Sequence, residues 1–95
     1  MQISVIVEEY IKEGQKDAFV AHMREMIRLT KEEDGCLAFD LYESLGDDGE
    51  MVMVEIWESK EALDKHMQTD HFKEFVPAGE QYKSKPSVLK IFSRL

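Results

Sequence analysis

Cysteine is nearly absent from this sequence, in which Cys36 is the only one. A single cysteine cannot form an internal disulfide, and it leaves no cysteine pair for a structural zinc site. Proline and glycine are also sparse, with two and five residues, and no repeat or low-complexity linker interrupts the chain. We therefore expect residues 1–95 to form one domain.

Positive charge is in short supply, because 12 Lys and Arg residues stand against 20 Asp and Glu residues, for a net charge of −8. A nucleic-acid surface needs clustered Lys and Arg to neutralise phosphates, and an anionic membrane surface makes the same demand. We expect neither nucleic acid nor a membrane as a partner.

Long hydrophobic runs are missing as well. No stretch approaches the ~20 apolar residues that span a bilayer. The first ten residues, MQISVIVEEY, lack the basic region and the longer apolar run of a signal peptide. We expect a soluble, cytoplasmic protein.

Four segments show the alternation of apolar side chains that is typical of β-strands; they are residues 2–10, 36–44, 51–57 and 88–95. The first two are apolar on both faces, which favours positions inside a sheet. The Asp- and Gly-rich residues 45–50 are short enough to join the second and third strands as an antiparallel hairpin. A calcium loop is the alternative, but the segment lacks the length and the closing Glu of an EF-hand.

Helical spacing predicts a first helix that ends at Gly35, a residue suited to the left-handed position after a helix. Its apolar stripe consists of Phe19, Met23, Met26, Ile27 and Thr30. We interpret the acidic residues 32–34 as a solvated helix end.

A second helical region is predicted in two pieces. Ser59 is a suitable N-cap for residues 60–68, and Thr69 can cap another turn that starts at Asp70 and stops before Pro77. The resulting order βαββαβ is typical of a ferredoxin-like α+β domain, with both helices on one face of a four-stranded antiparallel sheet. Because the strands are also apolar on the other face, we expect a homodimer whose sheets pack together.

The most informative stretch is residues 55–72, EIWESKEALDKHMQTDHF. Period-two alternation puts Glu55 on the same strand face as Trp57. His66 shares a helix face with Leu63, so it is expected to point toward the space between strand and helix.

These residues resemble the antibiotic biosynthesis monooxygenase (ABM) domain family, and especially its quinol monooxygenase branch. The resemblance rests on the pattern E-x-W-E-S-x-x-x-L-x-x-H-x-x-T-x-H from Glu55 to His71 and on the order of elements over the whole chain. It implies a dimeric α/β barrel, a pocket between helices and sheet, and oxidation of phenol-like or quinol-like substrates by oxygen without a metal or another cofactor.

A quinol must lose a proton before it donates an electron readily to oxygen, so a positioned base is required. His66 is the first candidate for that base, and Glu55 could orient His66 or accept the proton itself. Trp57 could form a flat wall against an aromatic ring. We place the remaining ligand contacts at Met53, Leu63, His71 and Phe39.

Several alternatives remain open. His66 could be a hydrogen-bonded core residue, and on one continuous helix it would lie about 140° from His71, which is poor for a metal pair unless the helix breaks at Thr69. Haem-degrading relatives have a histidine near Val76 and a tryptophan at position 66, and both are missing here. An isomerase acting on a phosphorylated dione, or a ligand-binding dimer without turnover, would use the same fold.

Overall fold

The computed structural model describes residues 1–47 and 49–95. Four strands and three helices follow one another in the order β1, α1, β2, β3, α2, α3, β4, with a short 3₁₀ turn before the last strand. Their bounds are Ile3–Ile11 (β1), Lys16–Lys31 (α1), Cys36–Glu43 (β2), Glu50–Trp57 (β3), Lys60–His66 (α2), Asp70–Ala78 (α3), Gly79–Tyr82 (3₁₀ turn) and Lys83–Ser93 (β4). The predicted order and the division of the second helical region are confirmed.

The four strands form one antiparallel sheet in the order β2-β3-β1-β4, as in a ferredoxin-like fold. β1 lies inside the sheet, in agreement with its two apolar faces, but the same prediction was wrong for β2, which lies at an edge. Val5 pairs with Glu55, and Phe39 pairs with Glu55 from the other side, so these three side chains share the face that the helices cover. The core fills the space between this face and the helices.

Several predicted boundaries were wrong, and α2 ends at His66 rather than at Gln68. The helix α1 ends at Lys31, and Gly35 instead starts the approach to β2 with a positive φ of 87°. The strand β4 begins at Lys83 and includes Pro86, which is tolerated because β4 lies at the sheet edge. The helix α3 continues one residue past Pro77, whose ring costs a single backbone hydrogen bond in the last turn.

The predicted connection between β2 and β3 is antiparallel, and Ser44 Oγ accepts hydrogen bonds from the backbone of Gly46 and Asp47. Asp48, which belongs to the predicted turn and to the calcium-loop alternative, lies outside the described residues. Among the helices that the structure describes, none has the length and apolar character needed to cross a membrane.

Gly35 lies in the loop between α1 and β2 and is close to Ala62 in the first turn of α2. A Cβ atom at this position would lie 2.6 Å from the Cβ atom of Ala62, and φ is in the left-handed region. We expect Gly35→Ala to lower the free energy of unfolding by about 2–4 kcal/mol through backbone strain and overpacking. Urea denaturation provides the measurement.

Gly14 offers a matched control, since its φ is also positive but its Cβ position meets no atom within 4 Å. Gly14→Ala should cost about 1–2 kcal/mol, from backbone strain alone. Equal losses in the two variants would show that the contact with Ala62 is unimportant.

Candidate active site

Two N-caps bring the histidines of the informative stretch together. Ser59 Oγ accepts the backbone N–H of Ala62 at 3.1 Å and begins α2. Thr69 Oγ1 accepts the N–H of Phe72 at 3.2 Å and donates to the carbonyl of His66 at 2.7 Å. The chain therefore breaks after α2 and starts again as α3, so the angular separation of a continuous helix does not apply to the two histidines.

Glu33 joins both histidines through one carboxylate oxygen. Its Oε2 lies 2.8 Å from His66 Nδ1 and 2.7 Å from His71 Nε2, and its side chain is 13% exposed. An ionised carboxylate only accepts hydrogen bonds, so both ring nitrogens donate to it. The neutral His66 ring then carries its proton on Nδ1 and leaves a lone pair on Nε2.

His66 is 2% exposed and surrounded by aromatic rings. Its ring centroid lies 4.7 Å from that of Trp57, 5.4 Å from that of Phe39 and 5.1 Å from that of Phe72. Burial lowers the pKa of His66 below its ordinary value of 6.5, and this outweighs the opposing effect of the Glu33 hydrogen bond. The ring is therefore neutral at pH 7 and able to accept a proton.

Glu55 is another buried titratable group in this region, with 6% exposure. Burial raises its pKa to about 7, although the hydrogen bond from Trp57 Nε1 to its Oε1 at 3.1 Å opposes the shift. Near neutral pH, the carboxyl group thus exists in both forms. It can donate a hydrogen bond when protonated and accept one when ionised.

A cavity of about 240 Å³ lies between the sheet and the helices. This is slightly below the ~300–1,000 Å³ of common small-molecule sites, so the cavity suits a small ligand. Its wall is mainly apolar, and five of the seven residues proposed from the sequence belong to it: Phe39, Met53, Glu55, Leu63 and His66. Trp57 and His71 are not on the cavity wall; their ring centroids lie 4.7 Å and 6.1 Å from that of His66.

Two interpretations of the sequence need correction. The acidic segment before Gly35 is not simply a solvated helix end, because Glu33 is largely buried against His66 and His71. The partner that orients His66 is Glu33, whereas Glu55 is hydrogen-bonded to Trp57. Glu33 escaped the sequence analysis because its contacts span 33 and 38 residues along the chain, and no local pattern records them.

Within the described part of the chain, the group that could hold a metal ion consists of Glu33, His66 and His71, since one ligand atom of each lies within 4.8 Å of the others. The Glu33 oxygen is 2.7–2.8 Å from each nitrogen. Two ligands of a tetrahedral zinc ion are separated by about 3.3 Å, given bonds of ~2.0–2.1 Å. The observed spacing is that of hydrogen bonds, and a metal would require the carboxylate to move away from both rings.

Known proteins are similar to this chain over most of its length. An uncharacterized protein of Synechocystis is 33% identical over 82 residues, which cover 86% of this chain but only 56% of that protein. A Mycobacterium tuberculosis protein named "Putative monooxygenase Rv0793" is 39% identical over 70 residues, covering 74% of this chain and 68% of the relative.

Solved structures share the whole fold. The structure of Rv0793 has a TM-score of 0.92 at 29% identity, covering 100% of this chain and 96% of its own. A conserved protein from Methanosarcina mazei has a TM-score of 0.96 at 26% identity, with coverage of 100% and 94%. The sequence profile described as "Antibiotic biosynthesis monooxygenase" matches residues 2–78, and the chain belongs to this ABM family.

Proposed function

We propose that this protein is a cofactor-independent monooxygenase that oxidises a small quinol or phenol-like substrate with molecular oxygen. The observation that carries the proposal is the contact of His66 Nδ1 with Glu33 Oε2 at 2.8 Å, in a histidine that lines a mainly apolar cavity. From this contact we infer that Nε2 is the unprotonated nitrogen and is available to a ligand. Among the described residues, none hydrogen-bonds this nitrogen. The membership of the ABM family and a relative named a putative monooxygenase support the same reaction class.

In the proposed reaction, His66 Nε2 accepts the proton of a quinol hydroxyl while Glu33 stabilises the imidazolium that forms. The resulting anion transfers an electron to oxygen, and the two radicals combine to form a carbon–oxygen bond. Loss of water from the ring hydroperoxide then leaves a hydroxyquinone. One oxygen atom enters the ring and the other leaves as water, and the substrate supplies all the electrons, so no external reductant is needed.

Glu55 is proposed to act on the second polar group of the reacting ring. Its Oε1 is held by Trp57, and the other carboxyl oxygen is left for a ligand. With a pKa of about 7, Glu55 can donate to an oxygen on which negative charge develops. Phe39, Met53 and Leu63 would hold the ring between these two groups, and Trp57 and His71 would support His66 from outside the cavity.

The isomerase alternative is less well supported, because a phosphorylated substrate requires a free cation or a helix N-terminus at the site. Lys60 is exposed and paired with Asp64. Lys83 lines the cavity but is already paired with Glu9 at 3.1 Å. A binding protein without turnover uses the same cavity, and only a measurement of reaction separates it from the enzyme.

The test is oxygen uptake by chelator-treated protein with a panel of reduced naphthoquinols and benzoquinols. We expect uptake above the autoxidation blank, incorporation of one atom of ¹⁸O from labelled oxygen into the product, and no stimulation by added metal ions. Uptake that equals the blank while the corresponding quinones still raise the melting temperature would contradict the monooxygenase and favour a binding protein.

We also propose that residues 1–95 are one domain and that two copies form a dimeric α/β barrel. Tyr42, Val88 and Phe92 lie on the sheet face away from the helices and are 52%, 41% and 50% exposed, which favours coverage by a second copy. Light scattering should give twice the mass of the chain, and Phe92→Glu should shift it to the single mass. The cytoplasmic location and the lack of a nucleic-acid partner stay predictions.

A further inference from the structure

A buried ionic cluster lies in the cavity wall at a distance from His66. Glu9 is 5% exposed, and its Oε2 is 3.1 Å from Lys83 Nζ. Ser87 Oγ accepts from Lys83 Nζ at 2.7 Å and donates to Glu9 Oε2 at 3.1 Å. All three residues belong to the wall of the same cavity.

The stability of the fold does not by itself explain why this cluster is buried. Taking two charges out of water is costly, and apolar residues of similar size are often equally stable in place of a buried ion pair. The remainder of the cavity wall is mostly apolar. A charged pair in such a wall therefore suggests that it recognises a polar group.

One oxygen of the cluster has no hydrogen-bond partner among the described residues. The contacts of the Glu9 carboxylate with Lys83 and Ser87 both use Oε2, and no described residue donates to Oε1. In the described part of the chain, Thr30 Oγ1 is the only fully buried side-chain polar atom without a hydrogen bond. Glu9 Oε1 thus keeps some accessible surface, and the cavity is the space that Glu9 borders.

The charge of the cluster indicates which chemical group of a ligand it would bind. Lys83 Nζ also lies 3.4 Å from Glu80 Oε1, but the Glu80 side chain is 61% exposed, so solvent screens its charge. In the buried part of the cluster, Glu9 and Lys83 neutralise each other, so a ligand ammonium or carboxylate would bring an unpaired charge into a buried site, at high cost. A hydroxyl group brings no charge and donates the hydrogen bond that Oε1 lacks. Its hydrogen bond to a charged acceptor would be stronger than one between neutral groups.

The position of the cluster sets the length of the ligand. Glu55 pairs with Val5, and Glu9 lies four residues further along β1. At ~3.3 Å per residue, the backbone positions of Val5 and Glu9 are about 13 Å apart along β1. The polar side-chain atoms that face the ligand can be closer together than this. The oxygens of a single benzoquinol ring are too close together to bridge such a span, whereas groups on opposite ends of a fused bicycle come nearer to it.

We propose that Glu9, with Lys83 and Ser87 holding its carboxylate, is a second ligand subsite that binds a hydroxyl group at the end of an aromatic ligand remote from His66. This proposal rests on the proposed function for the identity of the reacting end. It adds that the preferred ligands carry a second hydroxyl far from the ring position that is oxidised.

The test compares 2,6-dihydroxynaphthalene with 2-naphthol by anaerobic calorimetric titration, in which no oxidation takes place. We expect the diol to bind wild-type protein about 10- to 100-fold more tightly, as a hydrogen bond to a charged group implies. The double variant Glu9→Leu/Lys83→Met removes both charges together and should bind the two compounds with similar affinity. Glu9→Gln keeps the side-chain size and should show a reduced preference.

Equal affinities in the wild type, a lack of binding by both compounds, or a preference that persists in both variants would overturn the subsite. If the double variant fails to fold, Glu9→Gln alone decides between these outcomes. The oxygen-uptake test of the proposed function is separate. A protein that oxidises naphthoquinols but shows no preference for the diol has the proposed activity without the subsite.

Discussion

His66→Ala is expected to lower kcat/KM for quinol oxidation by about 10²- to 10⁴-fold, the usual contribution of a positioned general base. The reason is that no other described histidine faces the cavity: His71 donates to Glu33 from behind His66, and His22 bonds to the carbonyl of Phe75. The measurement is steady-state oxygen consumption at pH 7.5, where His66 is neutral in the wild type. A melting curve of the variant checks that it is folded.

Chemical rescue separates a base from a structural residue. Because His66→Ala leaves space for a small heterocycle, added imidazole should restore part of the activity and should do so more strongly as the pH rises through the pKa of free imidazole. His22→Asn is the matched control, since this histidine is outside the cavity wall, and it should retain activity within about two-fold. Full activity of folded His66→Ala would remove His66 from the reaction.

Glu55→Gln should stabilise the folded protein at pH 8 by about 3 kcal/mol relative to the wild type, and by little at pH 4. The folded pKa of Glu55 is about 7, against 4.5 for the ordinary side chain, and each factor of ten in proton affinity corresponds to ~1.36 kcal/mol. The glutamine side chain has nearly the same shape and can still accept the hydrogen bond of Trp57 Nε1. Urea denaturation at the two pH values provides the comparison.

The sign of this pH dependence of stability follows from proton binding by Glu55. Between pH 4.5 and pH 7, the folded state holds a proton on Glu55 that the unfolded state has lost, so the stability of the wild type falls as the pH rises through this window. His66 acts oppositely: its folded pKa is lowered, so stability falls as the pH drops below 6.5. Since both proteins contain His66, its effect cancels in the difference between variant and wild type.

Glu58→Gln is the matched control for this experiment, because Glu58 follows Trp57 in the chain but is exposed. We expect a change of less than about 0.5 kcal/mol at either pH. A Glu55→Gln variant whose stability differs from the wild type by the same amount at pH 4 and pH 8 would contradict the raised pKa, and with it the protonated form that is proposed to assist the reaction.

The sequence predicted the features that depend on residues close together in the chain. The two apolar faces of β1 correctly placed it inside the sheet, although the same reasoning failed for β2, which lies at an edge. The caps at Ser59 and Thr69 located both pieces of the second helical region. Alternation in β3 put Glu55 on the covered face of the sheet, and helical spacing turned His66 inward. Each of these inferences needs only residues that are close together in the chain.

Features that depend on distant contacts were missed or misplaced. Glu33 belongs to an acidic run that is typical of a solvated helix end, and only the return of α3 over it makes its carboxylate a partner of His71. Glu9 looks like an ordinary polar residue in a strand until Lys83, from the far end of the chain, is placed beside it. The strand β4 extends to Lys83 because pairing with β1 overrides the weak pattern around Pro86.

The central claim is that Glu33 holds His66 in the tautomer with a free Nε2 facing the cavity, and ¹⁵N NMR of the imidazole rings tests it most directly. At pH 7.5, we expect His66 to show a protonated Nδ1 and an unprotonated Nε2, and this pattern should weaken in Glu33→Ala. A proton on Nε2, or an imidazolium at this pH, would leave no base in the cavity and would contradict the proposed mechanism.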